Sequence, residues 1–187
     1  MKVNIMRLPG DWSEGFVLDW HVAHSEFLGY NSFGHPEFNT VRTEVGEALF
    51  QLKYRSDLTQ IEPLAKKMAD TIRDYFPTVA YIVPMPPTKE RKNQPLMLLA
   101  KKVSEFLEIP FFDNILLKRG TTPPMKDIED KEEKIKILME YLQISDGITN
   151  KGKWDILIID DLYSTGASLS AATRTIGTYE KANNIYV

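Results

Sequence analysis

Residues 154–168 read WDILIIDDLYSTGAS. Four aliphatic residues, Ile156 to Ile159, run straight into two adjacent carboxylates, Asp160 and Asp161, and then into a stretch of small residues. A short continuous apolar run of this kind suits a strand of a parallel sheet covered on both faces. At the carboxyl end of such a strand, ligands bind in the crevice above the sheet. Small residues there let backbone N–H groups crowd around an anion, and the N-terminus of a following helix adds free donors and a favourable dipole. Ser164, Thr165 and Ser168 can add hydroxyl donors. Two carboxylates repel a phosphate, so they address something else on the same ligand: sugar hydroxyls or a bound divalent cation. A phosphorylated sugar satisfies both halves of the stretch. The plain alternative is a strand end followed by a turn and a helix cap with no ligand at all.

The rest of the chain supplies the frame. With 187 residues and 43% hydrophobic content it can bury one sizeable core. Apolar residues recur at helical spacing in Val45–Leu52, Ile61–Phe76, Leu96–Leu107 and Ile135–Leu142, the third behind Pro95, a residue suited to a first helical turn. Between them lie short apolar runs, Val79–Val83, Ile109–Phe112 and Ile156–Ile159. Strands alternating with amphipathic helices predict an α/β domain with a mostly parallel sheet flanked by helices. Residues 1–43 are rich in aromatic residues, Gly and His with weak periodicity, and are expected to form an appended layer or hood on a core spanning 44–187.

Composition narrows the classes further. The net charge of -3 lacks the footprint of a nucleic-acid binder, although a local basic patch is compatible with it. No cysteine is present, which excludes disulfides and thiolate metal sites and fits a reducing compartment. The first residues are broken by Pro9, Gly10 and Asp11 before any long apolar run, which resembles neither a signal peptide nor a membrane span. A cytoplasmic protein is the expectation. A hydrophobic strand ending in Asp-Asp also occurs in nucleotide triphosphatases. However, the nearest partner motif, GITNKGKW at 147–154, ends on Trp154 where a magnesium-binding hydroxyl is needed, and it precedes a strand instead of following one.

The stretch ILIIDDLYSTGAS resembles the phosphoribosyl-pyrophosphate (PRPP) signature of type I phosphoribosyltransferases, with Ser164 and Ser168 where Thr is commoner. The resemblance implies a Rossmann-like phosphoribosyltransferase fold. It also implies that Asp160 and Asp161 bind the ribose hydroxyls and that Tyr163, Ser164, Thr165, Gly166, Ala167 and Ser168 wrap the 5-phosphate. VPMPPTKERKNQPL (83–96) is similar to an element of the competence-protein-F-like (ComF-like) branch. Thr88, Lys89 and Arg91 there are the candidates for the pyrophosphate. LLKRGTTPPMKD (116–127) resembles that branch's flexible loop, with Lys118, Arg119 and Lys126 able to close on an anion; a solvated linker is the plain alternative. The branch's Arg-Gly-Phe before Asn-Gln is missing here, and residues 16–38 do not map onto its cysteine-rich zinc ribbon.

The implied partners are PRPP and a nitrogenous acceptor, with Mg2+ bound through PRPP, and the resemblance allows a homodimer. The implied reaction is transfer of the phosphoribosyl group with release of pyrophosphate. A non-catalytic PRPP- or nucleotide-binding module, a sensor or an accessory of DNA uptake, is the second reading, and an RNA-binding regulator the third. The histidines, His21, His24 and His35, invite a metal site. Their spacing lacks the i, i+4 pair and the completing carboxylates, so no dedicated metal site is expected.

Overall fold

The run Trp154–Ile159 is the central strand of a parallel sheet. In chain order the computed structural model, which describes residues 1–88, 93–125 and 127–187, contains β1 (Met6–Arg7), β2 (Phe16–Val17), β3 (Val22–Tyr30), β4 (Pro36–Arg42), α1 (Glu44–Tyr54), a 3-10 turn (Leu58–Gln60) and α2 (Ile61–Tyr75). These are followed by β5 (Tyr81–Pro84), α3 (Pro95–Leu107), β6 (Leu116–Lys118), α4 (Lys131–Glu140), β7 (Leu142–Ile144), β8 (Trp154–Ile159), α5 (Ala167–Gly177) and β9 (Ala182–Tyr186). The main sheet has the order β5-β8-β9, all parallel, with Tyr81 opposite Ile156 and Pro84 opposite Ile159. The sheet is thus of the expected kind, with helices on its faces.

Alternation along β8 divides the core in two. Leu157 and Ile159 pack with α2 and α3, against Leu64, Ile72, Leu99 and Val103. Ile156 and Ile158 pack on the other face with Leu169, Ala172 and Ile176 of α5. Asp155 is the polar intruder in this strand. Burial alone would raise its pKa, yet hydrogen bonds from Thr78 Oγ1 (2.6 Å), Asn183 Nδ2 (2.7 Å) and the Asn184 backbone hold it below the ordinary value. That network explains why β9 carries Asn183 and Asn184 where an apolar run would be expected.

The predicted strand at Ile109–Phe112 is reduced to a single parallel bridge between Phe111 and Ile82. Pro110 has no N–H to give, so the segment is tied by only two flanking bonds, Ile82 N–H to Pro110 and Phe112 N–H to Ile82. The four predicted helices are all present, and α3 begins at Pro95 as its position suggests.

Residues 1–43 do two different things. Residues 13–16 run alongside β9: Ser13 N–H reaches the Ile185 carbonyl, Val187 N–H that of Glu14, and Phe16 N–H that of Val187. Leu8 and Trp12 are buried in the α5-side core. Trp12 is held between two glycines; a Cβ on Gly10 would lie 2.3 Å, and one on Gly15 2.4 Å, from its indole. Its Nε1 donates to the Leu8 carbonyl at 2.8 Å. β3 and β4 instead form an exposed antiparallel hairpin, with Phe27 ringed by Tyr30 and Phe38. Among the described residues no helix is long and apolar enough to cross a membrane.

Gly15→Ala forces a methyl group into Trp12 and Val187. The expected loss is about 1–3 kcal/mol, read as a lower denaturant midpoint at unchanged slope; an unchanged midpoint would show that Trp12 can move aside.

Candidate functional site

The site begins where β8 runs out. Asp160 follows Ile159 directly, and its Oδ1 accepts the backbone N–H of Asp161 at 2.8 Å. Asp160 borders a small cavity of about 70 Å³ formed by the loop Tyr163–Ser168, and it also borders a larger one of about 150 Å³ beneath the N-terminal layer. Asp161 borders only the larger cavity. The sequence reading placed both carboxylates on one ribose; both border the larger cavity, and Asp160 borders the loop cavity as well.

The loop is shaped by Gly166, whose φ of 77° is left-handed, a conformation glycine adopts without steric cost. A Cβ at this position would sit 3.1 Å from the ring of Tyr163, which lies over the turn. Because Gly166 occupies the cap position of α5, no side-chain cap satisfies the first turn of that helix. Ala167 N–H finds only Thr165 Oγ1, at 3.4 Å. Gly166 and Ala167 are buried, whereas Ser164, Thr165 and Ser168 are exposed with their hydroxyls. A ring of underused donors therefore surrounds a concavity, with a carboxylate on its rim.

The larger cavity has apolar walls, among them Phe16, Leu49, Met68 and Ile159. Its polar and aromatic lining includes Asp19, Trp20 and His21 together with Asp160, Asp161 and Tyr163. Trp20 and Tyr163 stand with ring centroids 6.5 Å apart. The segment before β3 that carries Trp20 and His21 is pinned to α1 by Thr43, whose Oγ1 donates to the Trp20 carbonyl at 2.7 Å and accepts from Gly46 N–H at 2.9 Å. Gly46 allows this approach, since a Cβ there would lie 2.0 Å from the His21 carbonyl oxygen.

From the last turn of α1, Lys53 Nζ reaches Asp161 Oδ2 at 2.8 Å, with both side chains largely buried. Lys53 and Gly46 were missed in the sequence, whereas His21 was singled out there among the histidines. An isolated glycine inside a helical pattern is a signal for close backbone approach. Nothing in local sequence ties a lysine on one helix to a carboxylate far along the chain.

Desolvation, and next the neighbouring charge of Asp161, push the Asp160 carboxyl up to about 7, against the opposing pull of the Asp161 N–H and of Lys53. Burial, assisted by Arg42 and Lys53, lowers His21 below its ordinary value, and its Nδ1 has no hydrogen-bond partner. The site thus holds a carboxyl poised near neutrality beside an imidazole kept neutral.

The other predicted residues are placed as follows. Thr88 is exposed on the turn after β5, which leaves the sheet beside Asp160: Met85 N–H bonds the Ile159 carbonyl at 2.9 Å. Lys89, Arg91 and Lys126 lie outside the described residues. Lys118 sits in β6 with its Nζ on Thr122 Oγ1 at 3.2 Å, and burial lowers its pKa. Arg119 is exposed just beyond it, and neither residue borders the two cavities. His21 lines the larger cavity, whereas His24 and His35 belong to the exposed hairpin. Among the described residues no group of three or more His, Asp or Glu is placed to hold a metal ion.

No protein-family model matches the chain. It is 25% identical over 140 residues to "Competence protein ComFC" of Bacillus subtilis (strain 168), which covers 74% of this chain; the chain spans 56% of that relative's length. Among solved structures, adenine phosphoribosyltransferase from Leishmania donovani superposes with a TM-score of 0.50 at 13% identity, over 98% of this chain and 72% of that one. The Leishmania tarentolae adenine phosphoribosyltransferase gives 0.49 at 10% identity, over 97% and 78%. The Leishmania donovani match concerns the fold, and the ComFC match the sequence. The chain thus has the type I phosphoribosyltransferase fold and is similar in sequence to a ComF protein.

Proposed function

We propose that the protein binds PRPP at the carboxyl end of β8 and transfers its phosphoribosyl group to a nitrogen nucleophile, releasing pyrophosphate. The observation that carries this reading is the position of Asp160, on the shared rim of an amide-lined loop and of a larger, mostly apolar cavity. The 5-phosphate belongs in the loop Tyr163–Ser168, where N–H and hydroxyl donors converge. The ribose belongs at Asp160, whose carboxylate accepts from hydroxyls. The nitrogen acceptor then belongs in the larger cavity, on the other side of the same carboxylate. The pyrophosphate is assigned to the turn after β5 that carries Thr88, next to the end of β8.

No covalent protein nucleophile is required. The chain's own contribution is to hold donor and acceptor on either side of one carboxylate, to exclude water beneath Trp20 and Tyr163, and to place negative charge near the cationic sugar that develops as the bond to pyrophosphate breaks. The donor set fits Mg2+ only as an ion carried on PRPP oxygens: Asp161 is engaged by Lys53, and no protein cage is present among the described residues. Held that way, the ion supplies charge neutralisation on the leaving pyrophosphate.

A PRPP-binding module without turnover is the second reading. It is favoured by the Lys53–Asp161 pair, which leaves a single carboxylate facing the loop. Pyrophosphate release across a panel of nucleobases separates the two. Transfer to any of them supports the enzyme, and tight PRPP binding with no turnover across the panel supports the module.

Calorimetry with PRPP and Mg2+ is expected to give micromolar affinity, about -7 to -8 kcal/mol, weakened at least about tenfold in Asp160→Asn/Asp161→Asn. Equal binding by both proteins would remove the ribose assignment. A second expectation follows from the raised pKa of Asp160. Below its unfolded value of 3.8 the carboxyl is protonated in both states. As pH rises through about 7 the fold loses the stability of the protonated form. Asp160→Asn should therefore be more stable than wild type at pH 8, by about 2–4 kcal/mol, with the difference shrinking toward pH 4. Urea unfolding at both pH values reads this directly, and a variant less stable at pH 8 would contradict it.

A further inference from the structure

Two adjacent carboxylates at the edge of a mostly apolar cavity repel each other, and a ligand that needs both of them ionised binds against that repulsion. The fold answers with one ammonium. Lys53 Nζ lies 2.8 Å from Asp161 Oδ2, and the two side chains are only 12% and 17% exposed. Among the described residues, the charged and titratable groups packed around the pair are these. α1 contributes Glu47 as well, but Glu47 is paired with Arg42 of β4 at 3.5 Å, and that guanidinium also lies 3.8 Å over the ring of Phe50. The segment before β3 contributes His21, kept neutral by burial, and Asp19, whose Oδ1 accepts Trp20 N–H. α2 and α3 present Leu64, Met68, Thr71, Ile72 and Leu99 to the cavity, none of them charged. The loop adds the phenol of Tyr163. α1 itself is fixed by the Thr43 cap and by the tight approach of Gly46 to His21, so the ammonium is delivered on a rigid element.

We propose that Lys53 is a positioning residue of this site: by pairing with Asp161 it offsets the second negative charge, so that Asp160 can face a bound vicinal diol as a carboxylate at neutral pH. For the identity of that diol the inference rests on the PRPP reading. The consequence for the unliganded protein does not. Without the ammonium, Asp160 loses one of the two influences that hold its titration down, the other being the Asp161 N–H. Its charged form then appears only at higher pH, and the ligand is taken up only there. The opposite change, removing the Asp161 charge while keeping Lys53, takes away the like charge that pushes Asp160 up and keeps the ammonium that pulls it down, so Asp160 ionises more readily.

The decisive experiment follows the side-chain carboxyl carbon of Asp160 by NMR between pH 4 and 10 in the ligand-free full chain. Wild type, Lys53→Met, Lys53→Arg and Asp161→Asn are compared. The expected results are a midpoint at least about one pH unit higher in Lys53→Met, a return toward wild type in Lys53→Arg, and a lower midpoint in Asp161→Asn. A purely structural ion pair would lower the melting temperature of each variant without moving these midpoints in opposite directions. An Asp160 midpoint in Lys53→Met equal to that of wild type would overturn the proposal. Should Lys53→Met fail to fold, Lys53→Gln takes its place, and an Asp160 midpoint equal to that of wild type there is equally fatal.

PRPP binding measured by calorimetry from pH 6 to 9 completes the test. Lys53→Met should bind about tenfold more weakly than wild type at pH 7 and recover at pH 9. A wild type that binds no PRPP at any of these pH values would overturn the donor reading, and the carboxyl titration would still decide the role of Lys53 by itself.

Discussion

Everything at this site follows from ending a fully buried strand on a carboxylate. The strand must be apolar on both faces to sit in the middle of a parallel sheet, and residues 156–159 are. The next residue emerges where the sheet stops, only partly open to water. A charge at that depth is costly unless something meets it. The fold supplies one backbone N–H from within the motif and one ammonium from α1, and these offset only part of the cost. Asp160 is left near the balance point between its two protonation states. Local stability is given up there, as it commonly is at ligand sites.

The surrounding architecture serves that point. The loop after Asp161 is made of residues too small to cover it, and the left-handed Gly166 lets α5 begin without a side chain closing its first turn. On the other flank, Thr43 and Gly46 bring the backbone of Trp20 and His21 down onto α1, which roofs the larger cavity. The exposed hairpin that follows lies outside this arrangement and shares none of the cavity linings.

Much of this was legible in the chain itself, for definite reasons. Ile156–Ile159 has the continuous apolar run of a doubly covered strand, Pro95 marks a helix start, and the small residues of the Ser-Thr-Gly-Ala-Ser run mark the turn that opens α5. What stayed hidden depended on contacts between distant segments. Asn183 and Asn184 look wrong for a strand until the Asp155 carboxylate they bind is in view. Ile109–Phe112 has the composition of a strand, but the missing N–H of Pro110 leaves it a single bridge. Trp12 belongs to an N-terminal segment with no periodicity, yet it is buried because Gly10 and Gly15 make a slot for its indole. Lys53 is the plainest case. As a lysine in the last turn of an amphipathic helix it reads as a favourable dipole partner, and its pairing with Asp161 is set by tertiary placement alone.

The edge of β9 is completed by residues 13–16, and the Ile185 backbone N–H also meets the Ser13 side chain across 172 positions of sequence. Contacts of such separation raise the contact order and slow folding, because the intervening loop must close before they form. On a ribosome the opening segment therefore emerges long before the strand it flanks exists. Trp12 and Leu8 spend that interval without the core that later encloses them, a window in which a chaperone or a stray apolar surface can capture the nascent chain.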